Sequence, residues 1–473
     1  MNVPVTLSMT GAQHQALWQH LFPGDDREAV AFLACNRRDG ERRHRLIVRE
    51  VVPVPHVECQ HRGPSSVSWS TESIQLLLET AVEAEYSLVK VHSHPTGYPD
   101  FSVTDDQADE ELLPAIQNWV EHDYPHGSAI MFKDGQMRGR YLNTGGRFED
   151  IDSIAVVGDD LSFWYAEGPS RNAPDFVASH GQMFGRGTYD RLLRLSIAVI
   201  GASGTGGPLI DQLMRLGVGQ LVLVDDDVVE HRNINRIPYS TLADAEQGRP
   251  KVELFAEVAR ATGLGTEVIV HAQNLWYEDV VHSVAQCDVV FGCMDSIDGR
   301  YLLNLLATYY SLPYIDIGVC LDTYRESDLK GQIREACGTV HYLQPGLSSL
   351  MSRGVFDMEA VRDAGRKRTD PESYDREVEE KYIRGVNEKQ PAVISLNTFA
   401  ASMAAMELLA RIHPYRERPN CEYAAIEFSF AGAEQFPDAE PGPCSLISDA
   451  VGLGDRRVTL DITALSKKGD GDE

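Results

Sequence analysis

Apolar and polar positions follow different patterns in the two halves of the chain. Up to about residue 150, short β-rich apolar runs alternate with turns, and one clear helical pattern occurs at 73–84. From Leu195 onward, apolar runs of strand length alternate with amphipathic helical segments, which is typical of a parallel sheet with crossover helices. The sequence therefore predicts an α/β protein, with an α+β domain first and a mainly parallel domain second.

The same changes of pattern suggest where the domains begin and end. An irregular stretch follows the first domain, and the last residues are polar like a disordered tail. An apolar, alanine-rich helix is expected at 397–412, packed against another part of the protein. We expect a first domain at 1–150, a connecting segment at 151–185, a second domain at 186–435 and a C-terminal extension at 436–473.

The composition of the chain bears on its partners and on its cellular location. The chain of 473 residues has a net charge of −28, which argues against a nucleic-acid partner because phosphate binding needs a basic face. No apolar run is long enough to cross a bilayer and the N-terminus lacks a signal-peptide pattern, so we expect a cytoplasmic protein without a membrane partner. The eight cysteines include no C-x2-C pair, which favours neither a disulfide framework nor a structural zinc site.

A polar motif with metal-ligand spacing lies in the first domain. It reads H-x-H-x7-S-x2-D, at His92, His94, Ser102 and Asp105. Two histidines two residues apart on an extended segment point to the same side, and a short loop can bring back the aspartate. Three protein ligands leave the fourth zinc position open for water, as in catalytic zinc sites. The alternative is a polar turn with two histidines by chance, which does not account for the serine and the aspartate.

This motif resembles that of the JAMM (JAB/MPN) metallopeptidases, which hydrolyse the bond after a ubiquitin-like C-terminus. The resemblance covers the first domain and implies one Zn²⁺ held by the two histidines and the aspartate. It also implies a general base before the first core strand, which Glu28 fits because it precedes the apolar run 29–34. Glu50 is the competing candidate. Ser102 would donate a hydrogen bond to the oxyanion of the tetrahedral intermediate.

The second domain opens with a glycine-rich turn between a strand and a helix. The buried strand 196–200 is followed by G-A-S-G-T-G-G, in which Gly201, Gly204 and Gly206 allow backbone N–H groups to approach a phosphate. The next apolar run ends in Asp225, an acid placed to bind a ribose hydroxyl. Alone, this pattern would favour a dinucleotide-dependent dehydrogenase.

The residues that follow argue against a redox enzyme. The ordered series D-D-D-V-V-E, N-I-N-R, P-K and M-D-S-I-D-G-R resembles the adenylation domain of the ThiF/MoeB and ubiquitin-activating family. The resemblance implies a Rossmann-like fold that binds ATP and Mg²⁺ and aligns the phosphates while a carboxylate attacks the α-phosphate. The family's ribose, phosphate and magnesium roles fall by position on Asp225, Arg236, Lys251 and Asp295, with Asp227 and Asn233 in support.

The sequence departs from that family at three features: a structural zinc site, an arginine contributed across a dimer and a cysteine that accepts the acyl group. A structural-zinc C-x2-C pair is replaced by S-L-M-S at 349–352, and an arginine often contributed across a dimer is replaced near Ser179. The chain has no cysteine over 338–420, where thioester-forming members often carry theirs. The adenylate could pass on directly, or form a thioester or an oxyester; we favour a route without a cysteine thioester. The acceptor candidates are Cys320, Cys337, Ser348, Ser349, Ser352, Thr369 and Ser373.

Both resemblances concern the same kind of substrate. The first domain would cut at, and the second would adenylate, the C-terminal glycine of a ubiquitin-like protein, as in a bacterial conjugation system. The resemblance also implies a homodimer and a conjugating enzyme as partner. One alternative is an activator of a sulfur-carrier protein for cofactor or metabolite synthesis, with a carrier-trimming peptidase. Another is a non-catalytic scaffold, against which the intact Arg236, Lys251 and Asp295 argue.

Overall fold

A computed structural model describes residues 3–120, 122, 124–168, 186–324, 332–372, 374–375, 393–456 and 460. The chain divides into two compact units. The first unit comprises Met1–Gly168, Tyr309–Ser311 and Val451–Val458, and the second comprises the remainder. In the described part of the chain, no helix is both long and apolar enough to cross a membrane.

The first unit is built on a nine-stranded sheet. Its strands and those of a separate small hairpin are β1 (Val5–Thr10), β2 (Val30–Asp39), β3 (His44–Pro53), β4 (Cys59–Arg62), β5 (Val67–Trp69), β6 (Ser87–Ser93), β7 (Gly127–Met131), β8 (Met137–Leu142), β9 (Phe148–Asp150), β10 (Ser153–Val157) and β11 (Leu161–Tyr165). The strand order in the sheet is β11-β10-β1-β3-β2-β6-β7-β8-β9, while β4 and β5 pair with each other. Its helices are α1 (Gly11–Leu21), α2 (Gln75–Ala84) and α3 (Val103–Val120).

Helices cover both faces of this sheet, so its central strands are apolar on both sides. In β2, Ala31 and Leu33 belong to the core that includes Leu17 of α1. The intervening Val30 and Phe32 belong to the opposite core, which α2 and α3 line. Alternate side chains of a strand point to opposite faces, and a strand buried on both faces reads as a continuous apolar run. This layering accounts for the unbroken run that precedes the polar end of β2.

The second unit contains an eight-stranded sheet. Its strands are β12 (Ser196–Ile200), β13 (Gln220–Val224), β14 (Glu267–His271), β15 (Val289–Gly292), β16 (Tyr314–Thr323), β17 (Ile333–Leu343), β18 (Ala425–Ser429) and β19 (Glu434–Asp438). The helices that follow α3 in the described chain are α4 (Arg186–Arg194), α5 (Gly206–Leu216), α6 (Leu242–Gln247), α7 (Lys251–Thr262), α8 (Glu278–Val284), α9 (Ile297–Tyr309), α10 (Met358–Thr369) and α11 (Ile394–Ile412).

The order of this sheet is β14-β13-β12-β15-β16-β17-β18-β19. The first five strands in that order are parallel and the remaining pairs are antiparallel. The connections reverse direction at β12, which has β13 on one side and β15 on the other. In open parallel sheets, ligands bind beyond the carboxyl ends of the strands at this reversal point. The predicted α/β fold is confirmed.

The observed bounds can be compared with those predicted from the sequence. The helix expected at 397–412 is α11, which begins three residues earlier, at Ile394. The segment 151–185, for which we predicted a connection, contributes β10 and β11 to the first sheet. Residues 169–185 of that segment lie outside the described residues, as does the whole of the predicted tail at 467–473.

Candidate functional site

The structure brings the two predicted histidines and the aspartate of the first unit together. His92 lies in β6, His94 follows that strand, and Asp105 lies in the first turn of α3. The Nε2 atoms of the two histidines are 3.1 Å apart, and His92 Nε2 is 3.0 Å from Asp105 Oδ1. His94 Nε2 is 3.6 Å from Asp105 Oδ2. The three side chains therefore direct their ligand atoms at one point.

Hydrogen bonds and burial prepare this cluster for a cation. His94 Nδ1 lies 2.8 Å from the carbonyl of Tyr98, so this nitrogen can carry the proton and leave Nε2 free as a ligand. Burial lowers the pKa of His92, which keeps the imidazole neutral. Burial opposes ionisation of Asp105, but hydrogen bonds from the two histidines hold its pKa well below the usual range. Burial opposes protonation of His94, but its hydrogen bonds with Asp105 and with the Tyr98 carbonyl raise its pKa. Two imidazoles and a carboxylate are a donor set that fits a zinc site.

Ser102 lies against the aspartate rather than apart from it. Its hydroxyl and its backbone N–H both donate to Asp105 Oδ2, each at 2.7 Å. The Asp105 N–H lies 3.2 Å from the Ser102 hydroxyl oxygen in return. This reciprocal pair starts α3 and fixes the orientation of the carboxylate. In this structure the serine hydroxyl therefore positions a ligand, and its oxyanion role stays a prediction.

Glu28 lies beside the cluster and Glu50 does not. Glu28 is 5% exposed and precedes β2, whose Val30 pairs with His92 across the sheet. Burial raises the pKa of Glu28 to about 7, and the charges of His94, Asp105 and Lys90 also act on it. Glu50 lies exposed within β3, which is separated from β6 by β2. Of the two candidate glutamates, only Glu28 is therefore buried near the cluster, and its role as a general base stays a prediction.

A buried group of charges beneath the cluster was missed in the sequence. Lys90 of β6 donates to Asp109 of α3, and Arg140 Nη2 of β8 lies 2.6 Å from the same carboxylate. Asp109 is fully buried and lies one helical turn after Asp105, just as Lys90 lies two residues before His92. The ion pairs therefore hold α3 in register with β6. A lysine inside an apolar strand was the available signal.

The glycine-rich turn of the second unit connects β12 to α5 and is closely packed. Gly201 has φ +94°, and a Cβ there would lie 2.9 Å from the carbonyl oxygen of Cys293. A Cβ on Gly206 would lie 1.7 Å from the Gly201 carbonyl oxygen. Only glycine fits these two positions. The resulting turn exposes backbone at the helix N-terminus, a site suited to a phosphate.

The acids and the lysine around this turn contact one another. Asp225 follows β13 and accepts a hydrogen bond from the Ala202 N–H at 2.6 Å. Lys251 Nζ lies 2.6 Å from Asp227 Oδ2 and 3.4 Å from Asp225 Oδ1. Burial raises the pKa of Asp225, although the Lys251 charge acts in the opposite direction. The predicted phosphate lysine is thus held by the two predicted carboxylates.

Asn233, Arg236 and Asp295 occupy the neighbouring loops. The Asn233 side chain is 4% exposed and accepts a hydrogen bond from the Glu230 N–H at 2.9 Å, which shapes the loop that carries Arg236. Arg236 packs its stem against Gly204. Asp295 follows β15 and is exposed. In the described residues it belongs to neither cluster of metal-ligand side chains, which are His92–His94–Asp105 and Asp225–Asp226–Asp227.

Two of the proposed acyl acceptors are enclosed. Ser348 is 3% exposed and donates to Glu440 at 2.9 Å, and Ser349 is fully buried against the Cys444 thiol at 3.1 Å. Their burial argues against these two candidates, because a protein substrate does not reach a buried hydroxyl, and the identity of the acceptor stays open. Thr369 is exposed, while Cys320 and Cys337 are direct partners across β16 and β17. Ser373 and Ser179 lie outside the described residues.

Family models match both parts of the chain. Residues 178–440 match the ThiF family, which is more than half of the chain, and the chain belongs to that family. Residues 11–140 match a family described as prokaryotic homologs of the JAB domain. The expected combination of a JAB-like domain with a ThiF domain is therefore confirmed.

Curated relatives resemble a quarter to a third of the chain. The SAMP-activating enzyme E1 of Haloferax volcanii is 39% identical over 127 residues, which are 26% of this chain and 46% of that protein. Adenylyltransferase and sulfurtransferase MOCS3 of Danio rerio is 31% identical over 121 residues, 26% of each chain. The similarity thus spans less than half of these relatives. MccB of E. coli, solved with ATP, has a TM-score of 0.44 at 18% identity, covering 59% of this chain and 74% of that one, a similarity too distant to bear on function.

Proposed function

We propose that the second unit uses Mg²⁺ and ATP to adenylate the C-terminal carboxylate of a ubiquitin-like protein. The observation that carries this proposal is the tight glycine turn with Asp225, Arg236 and Lys251 at the reversal point of the sheet, in a chain of the ThiF family. Arg236 and Lys251 would neutralise phosphate charge, and Asp295 would hold Mg²⁺. The names of the relatives, which include enzymes that activate ubiquitin-like modifiers, support this substrate class.

ATP–pyrophosphate exchange tests the adenylation proposal. Exchange should appear only when a ubiquitin-like protein with a free C-terminal glycine is added. The same protein with its C-terminal carboxylate amidated is the matched control and should give none, because no carboxylate is available to attack the α-phosphate. Absence of exchange across a panel of ubiquitin-like and sulfur-carrier proteins with a free C-terminal glycine would contradict the proposal.

The first unit is proposed to be a zinc peptidase that cleaves after the C-terminus of the same kind of modifier. His92, His94 and Asp105 would hold Zn²⁺, which activates a water molecule when bound. Glu28 would take the proton of that water, and Ser102 would orient Asp105 or donate to the oxyanion. The supporting observations are the converging ligand atoms and the buried glutamate beside them.

A metal analysis of Glu28→Gln tests this assignment. The variant should retain one zinc per chain and lose cleavage of a modifier fusion, because a base is removed and no ligand is. His94→Ala, which removes a ligand, is the comparison and should lose both zinc and cleavage. Zinc lost from Glu28→Gln would make the role of Glu28 wrong.

A sulfur-carrier substrate is the second candidate. It is favoured by the relatives named adenylyltransferase and sulfurtransferase, which are 31% identical to this chain over 121 and 126 residues. Products of the complete reaction distinguish the two candidates, because sulfur transfer gives a C-terminal thiocarboxylate whereas conjugation gives an amide on a target. A homodimer, a separate conjugating enzyme and a cytoplasmic location in a bacterial pathway remain parts of the proposal that rest on family resemblance.

A further inference from the structure

A buried asparagine lies beside the glycine-rich turn and has no assigned role. Asn397 belongs to the first turn of α11 and is 3% exposed. Its Nδ2 donates to the hydroxyl of Thr205 at 2.7 Å. Its Oδ1 has no hydrogen-bond partner among the residues that the structure describes. A buried amide oxygen without a donor is costly and unusual in a native protein.

The position of this carboxamide relates it to the phosphate-binding turn. A Cβ on Gly204 would lie 3.2 Å from Asn397 Nδ2 and 3.2 Å from Cδ of Arg236. The asparagine and the arginine stem therefore flank the same glycine. Thr205 is the N-cap residue of α5, but its side chain makes no capping hydrogen bond. The N-terminus of α5 therefore has no side-chain cap. It lies next to the Asn397 carboxamide, of which only the nitrogen is hydrogen-bonded.

A purely structural role would not require these groups. The neighbouring side chains of α11, such as Ala400 and Ala401, are fully buried and already pack the helix. Rotation of the amide by half a turn would let the Thr205 hydroxyl donate to the oxygen, but the nitrogen would then be unpaired. In either orientation the one hydroxyl serves one amide atom. The other amide atom then has no partner among the described residues.

We propose that Asn397 is a phosphate-binding residue of the nucleotide site, which rests on the proposed adenylation function. With a phosphate over Gly204, Thr205 donates to Oδ1 and Nδ2 donates to a phosphate oxygen. This arrangement satisfies every polar atom of the pair and places an uncharged donor beside Arg236. The group bound is the α-phosphate, because the glycine turn and the uncapped start of α5 meet there.

Binding of ATP, AMP and adenosine to the full-length protein with Mg²⁺ tests the proposal. Asn397→Asp keeps the size of the side chain and an oxygen for Thr205, but it replaces the donor with a negative charge. The affinity for ATP and AMP should fall about tenfold or more, and that for adenosine should not change. Asn397→Ala should show a smaller loss with the same dependence on phosphate, and it serves if the aspartate variant does not fold.

The matched control is Ser402→Ala on the same helix. Its hydroxyl bonds to the Thr398 carbonyl within α11, and this variant should bind all three probes like the wild type. The proposal is overturned if Asn397→Asp binds ATP as tightly as the wild type. It is also overturned if the affinities for ATP and adenosine fall equally, because Asn397 would then have only a structural role. A wild-type protein that binds no nucleotide would instead contradict the adenylation function itself.

Discussion

Glu28 is a buried carboxyl whose protonation should make the stability of the fold depend on pH. Its pKa is raised from 4.5 to about 7, chiefly by burial. Between these values the folded state keeps a proton that the unfolded state has released, so rising pH weakens folding through this group. With a chelator present, we expect the wild type to lose stability relative to Glu28→Gln as pH rises from 4.5 to about 7. The difference in the midpoint of thermal unfolding, Glu28→Gln minus wild type, should therefore increase over this range. A difference that is constant over this range would contradict the buried position of the carboxyl.

Cys337 of the second unit is poorly suited to thioester chemistry. Burial and the neighbouring Cys320 raise the pKa of Cys337 to about 11, so little thiolate is present near neutral pH. Enzyme charged with modifier and ATP should therefore give no covalent adduct, or one that resists thiol reductant and yields to mild hydroxide. The measurement is gel analysis of the denatured adduct. An adduct that reductant releases and that Cys337→Ala lacks would contradict this expectation.

At the scale of elements, the ion pairs between α3 and β6 set the position of one metal ligand. Asp109→Ala would leave Lys90 and Arg140 buried without their shared partner. Removing one member of a buried ion pair costs about 3–5 kcal/mol. We expect that loss in the free energy of unfolding of the metal-free protein. The exposed pair Arg418–Glu422 is the control, and Glu422→Ala should cost less than about 1 kcal/mol.

Zinc binding by Asp109→Ala also tests whether these ion pairs position the metal ligand Asp105. If α3 is held in register by this group, zinc affinity should fall together with stability, because Asp105 lies one turn away on the same helix. A variant as stable as the wild type would show that the charges are not effectively buried.

Elements defined by local pattern could be predicted from the sequence, and those defined by distant pairing could not. Strand β12 and its turn follow from an apolar run and adjacent glycines. Helix α3 was missed because its acidic start and Pro114 obscure the buried face formed by Leu113 and Ile116. The histidine motif was found because its ligands are close in sequence. Asn397 could not be found, because its partner Thr205 is 192 residues away.

At the scale of the whole molecule, a C-terminal segment contributes to the first unit. The carbonyl of Gly452 accepts a hydrogen bond from Asn36 Nδ2 at 2.8 Å, and Arg38 pairs with Asp455 at 2.8 Å. Gly452 has φ +69°, and a Cβ there would lie 2.4 Å from the Val48 carbonyl oxygen. The first unit therefore depends on residues far along the chain, which no local pattern predicts.

Gly452→Ala should loosen the strands that this segment contacts. Hydrogen exchange should become faster in β2 and β3, since the new methyl group clashes with the β3 backbone. Gly442→Ala is the matched control, because Gly442 also has a positive φ, +106°, but nothing lies within 4 Å of its Cβ position. Equal effects of the two substitutions would mean that the contact with β3 does not matter.

The central claim is that one chain carries two separate sites, and a reciprocal pair of variants tests it most directly. Exchange of radiolabelled pyrophosphate into ATP and cleavage of a modifier fusion should be measured on wild type, Asp295→Ala and Glu28→Gln. Asp295→Ala should lose exchange and keep cleavage, whereas Glu28→Gln should lose cleavage and keep exchange. Loss of both activities in either folded variant would contradict the claim.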